Sequence, residues 1–222
     1  MKRKGGQKEK LKVGVLVSGN GSNLQAIIDA IERGEISNAE IAIVLSDNPE
    51  AFALERAKKH GIPAEVIKRE DYPDKAAHNL ALAASLKKHG VKLVCLAGYM
   101  RIVSAELLNQ FPNSVMNIHP ALLPSFPGLH AQKQAFEHGV KISGCTVHFA
   151  DPQVDAGPII IQAAVPVHSG DTEKTLADRI LVEEHKCYPL AIKWFAEGRL
   201  SVVGRNVVLE GGEPEHFAVR NP

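Results

Sequence analysis

Cysteine is scarce in this chain. The 222 residues hold three, Cys95, Cys145 and Cys187, each alone in an apolar or helical stretch and none in a C-x-x-C pair. That spacing argues against a disulfide framework or a zinc site and reads as buried, reduced thiols in a cytosolic protein. Long apolar runs are missing as well: nothing approaches the roughly eighteen consecutive apolar residues that a membrane-spanning helix needs. The first ten residues, MKRKGGQKEK, are basic but lack the apolar core of a signal peptide, and they read as a disordered tail. Beyond them lysine and arginine form no cluster, and the formal net charge is +1. The electrostatic footprint of nucleic-acid binding is therefore absent. No internal repeat or low-complexity linker divides the chain. With 45% hydrophobic and 23% charged residues it can bury one good core, and the expected partners are small molecules, not nucleic acid or membrane.

What is present is a βαβ rhythm. Residues 11–18, 41–46, 64–67, 93–97, 114–118, 142–149 and 159–165 read as strands, and 22–33, 51–60, 74–89 and 172–197 as helices. His60, His89 and His138 each precede a glycine that ends a helical pattern, where a histidine complements the helix C-terminus. Residues 200–203 and 207–209 around Gly204-Arg205-Asn206 form a small hairpin, followed by a loose tail after Gly211. The expected architecture is α/β: a tail over 1–10, one domain over 11–203 and a C-terminal hairpin and tail over 204–222. Its mostly parallel sheet is covered by helices on both faces, with ligands at the carboxyl ends of the strands.

Three segments carry chemistry. In Asn117-Ile118-His119-Pro120-Ala121-Leu122-Leu123-Pro124, Asn117 and His119 leave the end of a strand on the same side, while Val115, Met116 and Ile118 pack its body. The two prolines order the loop that follows. About thirty residues on, Asp155 lies in Val154-Asp155-Ala156-Gly157-Pro158. An amide donor, an imidazole and a carboxylate together suit stabilising an oxyanion at a carbonyl. The second segment is the turn Ser18-Gly19-Asn20-Gly21-Ser22-Asn23, where glycines permit a tight turn and helix-end amides attract a phosphate. As a dinucleotide fingerprint it is incomplete, because Leu24 stands at the third glycine, although Asp47 ends the second strand where a ribose-binding acid sits. Phosphate binding, a nicotinamide dehydrogenase and an empty tight turn all remain open on these residues. The third segment, Leu96-Ala97-Gly98-Tyr99-Met100-Arg101-Ile102-Val103, places backbone polar groups beside apolar side chains and suits a flat heteroaromatic ring.

The strings SGNGSNLQAII, LAGYMRIV, NIHPALLPSFPG and VDAGPII stand in the order in which they occur in the folate-dependent phosphoribosylglycinamide formyltransferase family. The chain resembles that family over nearly all its length. The resemblance implies a Rossmann-like formyltransferase fold and a formyl transfer from 10-formyltetrahydrofolate, as cosubstrate, to the amine of glycinamide ribonucleotide in purine synthesis, with no metal. By the same resemblance Gly21, Ser22 and Asn23 hold the nucleotide's phosphate and Glu184 its ribose hydroxyls; read alone, Glu184 is an ordinary solvated helix charge. Met100, Arg101, Ile102 and Val103, with Asn117 and the loop Asp151, Pro152, Gln153, Val154 and Asp155, line the folate pocket. Lys75 corresponds to a basic residue near the folate, commonly arginine, and keeps the charge without the planar fork. Asn117 and a protonated His119 would stabilise the oxyanion, while Asp155 would hold His119 charged and relay protons. His148 is either a neighbour of that group or a satisfied core histidine.

The chain's length argues against the RNA-binding domain of methionyl-tRNA formyltransferase and the regulatory domain of formyltetrahydrofolate hydrolase. A non-enzymatic nucleotide-binding module is the other class to exclude. The expected state is a cytoplasmic monomer or homodimer.

Overall fold

The computed structural model describes residues 9–211, so the tails expected over residues 1–8 and 212–222 lie outside the described residues. Nine strands form one sheet among the described residues: β1 (Leu11–Val17), β2 (Ala39–Ser46), β3 (Ala64–Val66), β4 (Leu93–Leu96), β5 (Val115–His119), β6 (Ile142–Phe149), β7 (Ile159–Pro166), β8 (Leu200–Val203) and β9 (Asn206–Leu209). Six α-helices and a 3-10 turn (Arg69–Asp71) accompany them: α1 (Ser22–Glu32), α2 (Phe52–Lys59), α3 (Lys75–Lys88), α4 (Ala105–Leu108), α5 (Ala131–His138) and α6 (Glu173–Ala196). The strand order is β3-β2-β1-β4-β5-β6-β7-β9-β8. From β3 to β5 all neighbours are parallel. The chain winds outward from β1 to β3 and then crosses to β4 on the other side of β1. The topological switch point, where such sheets bind ligands, falls between the carboxyl ends of β1 and β4.

Alternation along the strands divides the core into two layers. Val13, Val15 and Val17 of β1 face α1 and α6, meeting Leu24, Ile27, Ile28, Ile180 and Tyr188. Leu16 points the other way, towards Ile43, Leu82, Leu86 and Val94. The same alternation corrects the expectation for β5. Met116 and Ile118 enter the first layer, whereas Val115 enters the second and shares its face with Asn117 and His119.

Caps explain where the long helices start. The Asp74 carboxylate accepts the Ala77 N–H at 2.8 Å to open α3. Thr172 and Thr175 bond reciprocally to open α6, and Arg179 grips Asp171 with two bonds of 2.7 Å just before it. His60 and His89 occupy the C-caps of α2 and α3, and His138 ends α5 before Gly139, as the sequence suggests. The periodicity did not reveal α4, which is a single turn, or the start of α5. Nor did it place the C-terminal hairpin in the main sheet, where β9 meets β7 at Ile159 and Asn206.

Tyr188, wholly buried on α6, ties the long helix to the middle of the sheet. Its hydroxyl lies 3.1 Å from the Leu96 carbonyl and 3.0 Å from that of Met116, bridging β4 and β5. Tyr188→Phe keeps the ring and removes the donor. A loss of about 1–3 kcal/mol is expected, read as a lower denaturant midpoint with an unchanged slope; an unchanged midpoint would show that the bridge contributes nothing.

Candidate active site

β5 and β6 run antiparallel, with Asn117 opposite His148 and His119 opposite Thr146. The loop after β6 turns back over this face, and Asp155 carries its carboxylate to it. Two backbone features permit the return. Gly157 passes so close to the Phe149 carbonyl that a Cβ would lie 1.8 Å from that oxygen, and Asp155 adopts the left-handed conformation at φ 53°, which aspartate tolerates better than most residues. Asp155 Oδ2 accepts the Gly128 N–H at 2.8 Å and lies 3.3 Å from His119 Nδ1. Its Oδ1 accepts Asn117 Nδ2 at 3.3 Å and sits 3.7 Å from His148 Nε2. The structure thus brings Asn117, His119 and Asp155 together and adds His148, buried within the same group. Of the two readings left open for His148, the antiparallel register favours the neighbour, because it puts His148 opposite Asn117.

The loop after His119 is held by more than its prolines. Thr146 Oγ1 donates to the Ala121 carbonyl at 2.7 Å and accepts from Leu123 N at 3.0 Å and Gln162 Nε2 at 2.9 Å. The carbonyl of Phe126 then accepts from His119 Nε2 at 2.8 Å. That bond places a proton on Nε2 and leaves Nδ1 turned to Asp155. His148 Nδ1 donates to the Phe149 carbonyl at 3.0 Å, so in neutral His148 Nε2 accepts from Asn117 Nδ2, 3.2 Å away.

Burial and neighbouring charge oppose each other in setting protonation in the free site. Burial lowers the His119 pKa below its ordinary 6.5, against the upward pulls of Asp155 and the Phe126 carbonyl. The free protein therefore favours neutral His119 near pH 7, not the imidazolium. For Asp155 burial acts upward, but His148, the Gly128 N–H and His119 together bring its pKa below the ordinary 3.8. Asp155 is a carboxylate that stays charged.

The turn after β1 forms a second subsite. Gly21 is the N-cap of α1 at φ 74°, no side chain caps the helix, and its first turn holds no acidic residue. The leading amides of α1 are available to an anion. Asn23 donates to Glu184 Oε2 at 2.7 Å across from α6, while its own Oδ1 is buried without a partner. Glu184 is 6% exposed, and burial raises its carboxyl pKa, against the pull of Asn23. It is not the solvated helix charge that it resembles in isolation.

Arg101 Nε donates to Asp47 Oδ2 at 2.7 Å, and Ser18 Oγ donates to Asp47 Oδ1 at 2.5 Å. Both carboxylate oxygens are occupied by protein donors, which removes the residue that a dehydrogenase reading would place on a ribose. Met100 and Ile102 are exposed at 60% and 56%, and Val154 of the Asp155 loop at 52%, while Val103 is buried. Exposed apolar side chains on these two loops offer greasy faces to a ring. Asp151 accepts the Gln153 N–H within its loop at 3.0 Å, and Pro152 beside it is exposed. Lys75 is exposed at the start of α3, and one turn on Asn79 accepts the Ser104 N–H at 3.0 Å, next to Val103. Among the described residues no group of three or more His, Cys, Asp or Glu could hold a metal ion, and no helix is long and apolar enough to cross a membrane.

Two measurements test this geometry. A Cβ at Gly21 would lie 2.6 Å from Ala53 Cβ, so a side chain there collides with α2 instead of filling the phosphate's place. Gly21→Ala should therefore weaken nucleotide binding in calorimetric titration and leave folate binding unchanged; unaltered nucleotide affinity would make the turn merely structural. The His119 ring should titrate by NMR below 6.5 in the free protein and lower still in Asp155→Asn, which removes the charge favouring imidazolium. Since folding lowers this pKa, protonation favours the unfolded state, and stability is lost as pH falls through and below 6.5. A titration midpoint above 6.5 would overturn the balance of burial over charge.

Similarity to known proteins identifies the family. The family model for formyl transferase matches residues 11–192. A trifunctional purine biosynthetic protein adenosine-3 from Drosophila pseudoobscura pseudoobscura is 49% identical over 190 residues, which are 85% of this chain but 14% of that protein, so the chain spans about a seventh of its length. The phosphoribosylglycinamide formyltransferase of Escherichia coli strain K12 is 42% identical over 197 residues, covering 89% of this chain and 92% of that one. The crystal structure of glycinamide ribonucleotide transformylase 1 from Symbiobacterium toebii superposes with a TM-score of 0.89 at 54% identity, covering 91% of this chain and 95% of the other. Fold and similarity over most of the chain agree: the chain belongs to the formyl transferase family and, within it, to the phosphoribosylglycinamide formyltransferases.

Proposed function

We propose that the chain transfers the formyl group of 10-formyltetrahydrofolate to the primary amine of glycinamide ribonucleotide. The observation that carries this reading is the convergence of Asn117, His119 and Asp155 on one face of β5, beside a helix N-terminus without a cap. The amine nitrogen attacks the formyl carbon and a C–N bond forms, leaving a tetrahedral centre with a developing oxyanion. His119 Nδ1, which takes a proton from solvent as that charge appears and returns it when the tetrahedral centre collapses, and Asn117 Nδ2 stabilise the oxygen. Asn117 uses its long 3.3 Å contact to Asp155 for this. Asp155 takes the proton released by the amine and returns it to the folate nitrogen as the C–N10 bond breaks. The amides of Gly21, Ser22 and Asn23 receive the phosphate, and Glu184 accepts from the ribose hydroxyls. Met100, Arg101, Ile102 and Val103, the loop from Asp151 to Val154, and Lys75 receive the folate. No step calls for a metal, and the site is that of a cytoplasmic biosynthetic enzyme acting on small molecules.

Absorbance of folate deformylation with and without glycinamide ribonucleotide decides between a transferase and a formyltetrahydrofolate hydrolase. Strict dependence on the nucleotide is expected, and equal turnover without it would sink the proposal. Loss of one preorganised oxyanion donor costs about a hundredfold to a thousandfold in rate. His119→Ala and Asn117→Ala should each show that loss mainly in kcat, and their combination should cost less than the product of the single losses, because both act on one oxygen. Asp155→Asn should lower kcat and shift the pH profile. Near-normal kcat in all three folded variants would place the chemistry elsewhere.

A further inference from the structure

Ser18, the residue after β1, sits at the switch point of the sheet between the phosphate turn and the loop that follows β4. Each of its polar groups joins neighbouring loops. Its N–H donates to the Gly98 carbonyl at 3.1 Å, and its carbonyl accepts Asn48 Nδ2 at 3.1 Å. Its Oγ accepts the Met100 N–H at 2.9 Å and donates to Asp47 Oδ1 at 2.5 Å. Asp47, with a side chain only 4% exposed, gives its other oxygen to Arg101 Nε at 2.7 Å. Ser18 and the buried Asp47 carboxylate together thus fasten the backbone of Gly98 and Met100 and the side chain of Arg101 to the residue immediately before Gly19-Asn20-Gly21. On the far side of that turn, the Ala53 N–H donates to the Gly19 carbonyl at 3.1 Å, so the turn is anchored at both ends.

A buried carboxylate is expensive to keep unless its donors are well placed, and packing alone would be served as well by an apolar residue. This one also stands in the wall of a cavity of about 700 Å³, with Ser18, Asn48, Arg69, Met100 and Arg101 around it. It therefore lines a cavity beside Met100 and Arg101 while bonded to the residue before the phosphate turn. We propose that Asp47 is a positioning residue that couples the two substrate sites, so that nucleotide in the turn raises the affinity of the adjoining loop for folate. The inference rests on the substrate assignment above. Its physical basis is ordering: the side chains of Met100 and Ile102 are largely exposed, so folate must fix their rotamers. A ligand that has already stiffened the Ser18 anchor reduces the entropy lost in doing so.

Titration calorimetry of the full chain tests this with tetrahydrofolate, which lacks the formyl group and cannot react, and glycinamide ribonucleotide. In the wild type, saturating nucleotide should tighten tetrahydrofolate binding by about fivefold or more. Asp47→Asn opposes an amide to Arg101 and should bring that factor towards one while nucleotide affinity alone stays close to wild type. Ser18→Ala removes the acceptor of the Met100 N–H and should do the same. Amide exchange adds a readout that a merely structural role would not move: nucleotide should slow exchange at Met100 in the wild type and not in Ser18→Ala. If Asp47→Asn fails to fold, Arg101→Gln at an exposed side chain carries the same ratio test. Both ligands binding the wild type independently, or an unchanged ratio in a folded Asp47→Asn or Arg101→Gln protein, would overturn the coupling and leave the substrate assignment intact. Failure of the wild type to bind either ligand would overturn the assignment, and the coupling with it.

Discussion

A buried carboxylate must be matched by donors, and Asp155 imposes that requirement on everything around it. Leaving such a charge without partners costs about 3–5 kcal/mol, so the loop that delivers it and the loop that receives it have to agree in position. The first agreement is Gly157, whose missing side chain lets the chain pass against Phe149. The second is the segment after His119, where Thr146 and Gln162 hold Ala121 and Leu123 so that Phe126 and Gly128 present a carbonyl to His119 and an N–H to Asp155. Arg205 in the C-terminal hairpin adds a 3.0 Å bond to the Ala156 carbonyl. Site and scaffold are coupled through this one charge.

His119 lies where two effects oppose each other. Burial disfavours its imidazolium, and the carboxylate 3.3 Å away favours it. The result is a ring that rests neutral and gains a proton most easily when a second negative charge develops nearby. In the proposed reaction an oxyanion supplies that charge only as the chemistry proceeds, which would make the stabilisation greater for the transition state than for the bound substrates. That difference is what accelerates a reaction.

Periodicity in the sequence was sufficient for the parallel half of the fold, because strands buried on both faces and capped amphipathic helices are local patterns. β6 was read at its full extent, and α6 to within one residue at each end. The short α4 holds too few residues to show a period. The contacts that complete the site are long-range: Asn117 with His148 across 31 positions, Asn23 with Glu184 across 161, Ser18 with Met100 across 82. Glu184 has no local signature, since its meaning comes from being buried against Asn23. Asp47 misled for the same reason: at the end of a second strand it looks like a ribose acid, and only the fold shows Ser18 and Arg101 occupying it. The resemblance to the family supplied the remaining residues, because it carries long-range information that spacing does not.

The antiparallel step from β5 to β6 explains why the chemistry differs from that of a parallel nucleotide-binding sheet. In an all-parallel sheet the loops that meet a ligand all leave from strand tips, so catalytic groups gather at a rim. β6 runs the other way and leaves beside the start of β5, where the Ala150 N–H bonds to the Val115 carbonyl at 2.8 Å. Its loop must then fold back along the face of β5 to rejoin β7. That return path carries Asp155 over Asn117 and His119 instead of past them, and it buries the carboxylate between two imidazoles. The parallel half keeps its ligand end at the tips of β1 and β4, where Ser18 joins both. The proposed phosphate site at a strand tip and the proposed reacting centre on a strand face thus follow from one change of strand direction.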